Sequence, residues 1–163
     1  MKQIVLVRHA KSSWEFDVSD IDRPLKKRGV VDAKLVSDKF GLQDLRPDAI
    51  FSSPANRALS TSKIFLKNLK ISTKKLEISD MLYDFGGNGV VNFIKELNDK
   101  YKCVMIFGHN HAFTAIVNTY GDKYINNVPT SGLVVLEIDI KRWQDLKPGR
   151  TINILFPRLL RTQ

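Results

Sequence analysis

Cysteine is almost missing from the 163-residue chain. Cys103 stands alone, so no disulfide can form within it and no cysteine cluster can hold a metal. That usage suits a reducing compartment, and the expected location is cytoplasmic. Long apolar runs are missing too: Ile4 to Val7 is stopped by Arg8, too short for a membrane span or a signal-peptide core, and no small-residue cleavage site follows. No membrane partner is expected. Acidic residues are outnumbered, 17 Asp and Glu against 26 Lys and Arg, giving a formal charge of +9 that favours anionic partners. Zinc fingers, basic heptads and aromatic-interleaved ribonucleoprotein patterns are absent, so nucleic acid is not expected among them. The lysines at 63, 67, 70, 74 and 75 and the basic stretch from Lys141 to Arg161 read as solvated faces. Repeats, low-complexity tracts and Pro/Gly/Ser linkers are also lacking, which predicts one domain over 1–163.

What is present is an alternation of short apolar runs with helical patterns. Strands are predicted at Gln3 to Val7, Ala49 to Ser52, Leu76 to Ser79, Cys103 to Gly108, Leu133 to Asp139 and Thr151 to Phe156. Helix faces run through Val31, Leu35 and Val36 after Gly29, and through Ala58, Ile64, Phe65 and Leu69 with Ser53-Pro54 as cap and first helical residue. Val90, Phe93, Ile94 and Leu97 form a third face; Phe113, Ile116, Val117 and Tyr120 form a fourth, stopped by Gly121. Such alternation predicts an α/β layered fold with a largely parallel sheet, and ligands in these folds gather at the carboxyl ends of strands. Arg8-His9, Ser52-Ser53 and Gly108-His109-Asn110 all fall at such ends.

The chain has only three histidines, His9, His109 and His111, and all three lie on these turns. A metal site on His109-x-His111 would set a cation beside Arg8 and Arg57 with no carboxylate spaced to complete the shell, so no metal is expected. A cysteine-dependent phosphatase needs an arginine six positions after its nucleophile, and the residue six beyond Cys103 is His109. Asp20-Ile21-Asp22 does not end a buried strand, and reads as a solvated loop. Phosphoryl transfer through histidine remains: neutral imidazole attacks phosphorus, guanidinium groups bind the equatorial oxygens, and flanking cations keep His9 unprotonated near neutral pH.

The stretches "LVRHAKSSW", "DRPLKKRG", "FSSPANRALSTS", "FGHNHAFT" and "NVPTSGLVVLEID", in this order, resemble the histidine phosphatase (phosphoglycerate-mutase-like) superfamily, and within it the SixA-type phosphohistidine phosphatase branch. The resemblance runs from about Lys2 to Pro157. It implies a three-layer α/β/α sandwich with a mostly parallel mixed sheet, His9 as the transiently phosphorylated nucleophile, Arg8 and Arg57 as phosphate ligands and His109 as the second catalytic histidine. Arg23 matches a position that contributes to the anion pocket, and Ser12 a hydroxyl near the phosphate. Asp84, in "MLYDFGGNG", is either the general acid or an exposed turn residue. The sequence departs from the family pattern at Ala10, usually glycine, at Glu15, where mutases carry asparagine, and at His111, usually proline; His111 is either a substrate contact or a first-turn helix residue. The implied activity is a cofactor-free, metal-independent phosphatase acting on phosphohistidine in a protein. The alternatives are the same chemistry on a small phosphate ester, and a phosphate-binding module without turnover.

Overall fold

The computed structural model describes residues 1–161. Among these residues six strands form one sheet: β1 (Lys2–Arg8), β2 (Ala49–Ser52), β3 (Leu76–Ile78), β4 (Cys103–Gly108), β5 (Leu133–Ile138) and β6 (Arg150–Leu155), in the order β3-β2-β4-β1-β5-β6. The first four run parallel, whereas β5 is antiparallel to both β1 and β6. Central β1 is buried on both faces, which explains its unbroken apolar run. Ile4 and Leu6 join one core cluster, and Val5 and Val7 the other.

Among the described residues five α-helices cover the sheet: α1 (Lys27–Gly41), α2 (Asn56–Leu69), α3 (Asn88–Lys95), α4 (Ala112–Tyr120) and α5 (Pro157–Arg161). Ala33, Val36 and Phe40 of α1, Phe65, Leu66 and Leu69 of α2 and Leu160 of α5 pack with Val5 and Val7. Val90 and Ile94 of α3, with Phe113, Ile116 and Val117 of α4, pack with Ile4 and Leu6. The result is the three-layer sandwich expected from the resemblance.

The element bounds differ from the sequence reading in informative places. Val31 is 62% exposed, and the buried stripe of α1 runs instead through Ala33, Val36 and Phe40. Helix α2 starts at Asn56 behind Ala55, because the Ser53 hydroxyl is engaged with the His109 ring and the Ala55 amide rather than capping a helix. Helix α3 ends at Lys95, so Leu97 packs on the core from beyond it. Gly121 follows α4 with extended backbone; glycine is required there by crowding, since a Cβ would come within 2.2 Å of Thr151 Oγ1. The lysines at 63, 67, 70, 74 and 75 are exposed. Among the described residues no helix is long and apolar enough to cross a membrane.

The register aligns Arg8 with Gly108 and Ser52 with Phe107. The residues that follow, His9, His109 and Ser53, therefore leave the sheet side by side.

Candidate active site

The turn after β1 is fixed from several directions. The His9 amide donates to Gly108 O at 3.0 Å, and the Ser131 amide donates to the carbonyls of Arg8 and His9 at 3.2 and 3.1 Å. Ser131 adopts the left-handed region (φ 61°) to make that contact. The Ala10 amide donates to Thr61 Oγ1 at 2.8 Å, whose hydroxyl in turn donates to Arg57 O at 2.7 Å, so one threonine ties the turn to the helix carrying Arg57. Helix α1 approaches so closely that a Cβ on Gly29 would sit 2.3 Å from Lys11 O, and only glycine fits.

Burial and bonding decide the state of the histidines. His9 Nδ1 lies 2.8 Å from Ala10 O, and a carbonyl can only accept, so Nδ1 carries the proton and Nε2 presents its lone pair. Its pKa is pushed down to about 3, first by desolvation and then by His109, Arg57 and Arg8, outweighing the Ala10 hydrogen bond. The His109 ring centroid is 5.3 Å away, and its pKa is also lowered to about 3, by desolvation and then by Arg57. His109 Nε2 meets Ser53 Oγ at 2.8 Å, leaving Nδ1 buried without a partner. Tyr83 and Phe85 flank that ring at centroid distances of 5.4 and 5.0 Å.

Three arginines complete the cluster. Arg8 Nη1 donates to Val128 O at 2.8 Å, and burial with the nearby Arg57 charge lowers its pKa. Arg57, 1% exposed, sends Nη1 and Nη2 to the Asp20 carbonyl and carboxylate at 2.6 and 3.0 Å. Arg23 donates from Nη1 to Ser12 Oγ at 2.5 Å and from Nε to Asp20 Oδ1 at 3.3 Å, with its guanidinium 3.6 Å above the Trp14 ring. Among the described residues the buried side-chain polar atoms without a partner are Arg8 Nε, Arg57 Nε, His109 Nδ1 and Ser131 Oγ. Two of these are obligate donors, and burying them unpaired is costly unless an anion takes up the bonds.

The segment Asp20-Ile21-Asp22 is solvated as read from the sequence, but it is a 3-10 turn in which Asp20 has a role that reading missed. The Asp20 side chain is partly exposed, yet it accepts from Arg57, Arg23 and, at 2.5 Å, the Tyr83 hydroxyl. Those donors outweigh the burial cost and hold its pKa at about 2, while the same bond raises that of Tyr83. Its donors come from positions up to 63 residues away, so no local pattern reveals it. Thr61 and Ser131 were likewise missed; their places in "RALSTS" and "PTSG" were the only signal.

Asp84 accepts from the amides of Gly86, Gly87 and Val90 at 3.0–3.1 Å, closing the N-terminus of α3. His111 is exposed at the position preceding α4, and Glu15 is exposed, its amide donating to Ser13 Oγ at 3.1 Å. Cys103 is buried, its thiol pushed up to about 12 by desolvation and Asp48, which leaves no thiolate at neutral pH. Among the described residues no group of three metal-binding side chains occurs.

The fold, the turns after β1 and β4, and the arginine cluster define a class. A model of the histidine phosphatase superfamily (branch 1) matches residues 4–85, and the chain belongs to that family of phosphatases. Among solved structures, a protein assigned as the phosphohistidine phosphatase SixA of Agrobacterium tumefaciens is 27% identical, with a TM-score of 0.79 over 94% of this chain and 97% of that one. The protein histidine phosphatase SixA complexed with tungstate is 19% identical, with a TM-score of 0.81 over 97% and 99%, a likeness of fold. An uncharacterized protein of Mycobacterium tuberculosis, Rv1276c, is 27% identical over 153 residues, 88% of this chain and 93% of that one.

Proposed function

We propose that the chain is a phosphohistidine phosphatase acting on a phosphorylated protein in the cytoplasm, through a covalent intermediate on His9 and without metal or cofactor. The observation that carries this reading is the pairing of orphaned buried donors with a histidine whose Nε2 is bare. Arg8 and Arg57 bind the phosphoryl oxygens, and both guanidiniums strengthen their hold as negative charge spreads over the oxygens during transfer. The hydroxyls of Ser53 and Ser12 are assigned as donors, Ser53 to His109 Nε2 and Ser12 to the phosphoryl group beside Arg23. His109 then offers Nδ1–H to the same oxygens.

In the first step the His9 Nε2 lone pair attacks phosphorus and the substrate N–P bond breaks. With its other nitrogen protonated, the substrate imidazole departs neutral and needs no proton from the protein. In the second step water attacks phosphorus, the bond to Nε2 breaks, and the water proton leaves with the phosphate. The Nδ1–H bond to Ala10 O lets His9 also depart as neutral imidazole. An alkoxide would need an acid. Asp20 and Asp84 are both occupied as acceptors by several donors, which favours an N–P over an O–P substrate. Asp84 is here assigned to capping α3 rather than to proton transfer.

Turnover of a phosphohistidine protein is to be compared with that of a panel of sugar phosphates and nucleotides. Higher kcat/KM on the phosphohistidine protein is expected. Faster ester turnover would transfer the same mechanism to a small metabolite, and saturable phosphate binding without turnover would leave only a binding module.

A further inference from the structure

Two surface features adjoin the pocket without taking part in it. The first is an aromatic rim. Trp14 is 75% exposed although its ring lies beneath the Arg23 guanidinium, and Phe85 is 46% exposed although its ring lies 5.0 Å from that of His109. A continuous chain of contacts joins them across the mouth: Trp14 to Arg23, Arg23 to Asp20, Asp20 to Tyr83, Tyr83 to Phe85. Phe16 and Val18, on the segment after Trp14, are also largely exposed. Large aromatics left in water beside a polar pocket are unusual and mark contact surfaces.

The second feature is a groove of about 680 Å³ whose mostly uncharged walls carry Lys11, Arg28, Arg158 and Arg161, with Asp32 the only acid among the described residues. Asp32 is paired with Arg161. Lys11, Arg28 and Arg158 are exposed and have no acidic partner among the described residues. The groove abuts the site: Lys11 is two residues past His9, and Thr130 on its wall precedes Ser131, whose amide holds the carbonyls of Arg8 and His9. The stretch from Lys141 to Arg161, read from sequence as a solvated face, thus contributes its last arginines to a concave surface.

We propose that rim and groove form a docking surface for a protein segment that is apolar and acidic around its phosphohistidine, the aromatics anchoring its apolar side chains and the unpaired cations its carboxylates. This rests on the phosphohistidine reading above and goes beyond it by specifying what surrounds the phosphorylated residue. A small phosphate ester that fills the pocket leaves the exposed aromatics and the groove cations unused. A nucleic acid strand would satisfy both features too, but the nucleophile at the centre acts on a terminal phosphoryl group rather than on a strand's diesters. A protein-borne phosphohistidine satisfies rim, groove and pocket together.

The test uses three substrates: free N-phosphohistidine, a phosphohistidine peptide flanked by leucine and glutamate, and one flanked by glycine and lysine. The acidic peptide is expected to exceed the other two in kcat/KM by roughly tenfold, a few-fold for each groove cation it engages. That advantage falls as salt rises. The double variant Arg28→Glu, Arg158→Glu should erase the advantage, and transfer part of it to the lysine peptide, while turnover of free phosphohistidine stays unchanged. Binding should also alter the fluorescence of exposed Trp14 but not that of buried Trp143, and Trp14→Phe should abolish the change. Equal kcat/KM on all three substrates overturns the docking surface while leaving the phosphatase reading intact. Failure to hydrolyse any of them overturns both. Tighter binding of an oligothymidylate than of the acidic peptide, or a dimer that dissociates when Trp14 is changed to Lys, assigns the surface to another occupant and overturns the proposal.

Discussion

Acid should weaken this protein in a pH range where carboxylates are still ionised, because its two buried histidines resist protonation. Both are lowered to about 3 in the folded chain, from 6.5 in an exposed one. As pH falls below 6.5 the unfolded chain takes up these protons and the folded chain does not, so their contribution is full above 6.5 and is lost as pH falls toward 3. At pH 5 the gap amounts to roughly 2 kcal/mol per histidine at about 1.4 kcal/mol per unit. The two histidines repel one another when charged, so about 4 kcal/mol for the pair is an upper value, still a large share of the 5–15 kcal/mol typical of a domain. Asp20, held at about 2, contributes stability that is present above 3.8 and lost only below it, so it does not confuse the reading. Urea denaturation at pH 7.5, 6 and 5 measures the loss. The wild type should lose several kcal/mol between the extremes, and the double variant His9→Asn, His109→Asn under 1 kcal/mol. A flat wild-type profile, or equal slopes in both proteins, would show that the two histidines do not resist protonation in the folded chain.

Asp84→Asn should cost about 1 kcal/mol in thermal stability through the weakened cap on α3, with phosphohistidine turnover nearly unchanged; a loss of about 100-fold or more in kcat would make Asp84 the proton donor instead. Asp20→Asn keeps shape but removes the charge between Arg57, Arg23 and Tyr83, and kcat/KM should fall roughly tenfold with the fold intact, a loss measured as weaker vanadate inhibition. Unchanged vanadate affinity would show that Asp20 does not position the arginines. Gly29→Ala drives a methyl into the Lys11 carbonyl and should destabilise by about 1–3 kcal/mol while lowering activity through the displaced turn after β1; full stability in calorimetry would contradict the close approach.

The sheet was legible because its strands are short apolar runs, and each predicted strand lies within a residue of the observed one at either end. Helix faces were less so: Val31 has the right spacing for a buried stripe but lies on the solvent side, since packing against α2 and the Lys11 turn rotates the helix toward Ala33 and Val36. The residues that the motifs single out, Arg8, His9, Ser12, Arg23, Arg57 and His109, are brought together in one cluster; their catalytic roles are the proposal made above. Asp20 was hidden because its significance lies in donors from α2 and from Tyr83, contacts that only the closed fold creates. Ser53 was misread for a related reason, as a side chain that looks like a helix cap locally is claimed by a histidine 56 residues on.

The proposed two-step reaction requires His9 to carry the phosphoryl group. Rapid mixing with a labelled phosphohistidine protein, quenching without acid and mapping of the modified peptide tests it most directly. Transient label on His9, chased into inorganic phosphate, is expected, with none in His9→Ala despite an unaltered fold. Turnover with no label on His9 at any time, or label on another residue, would contradict it.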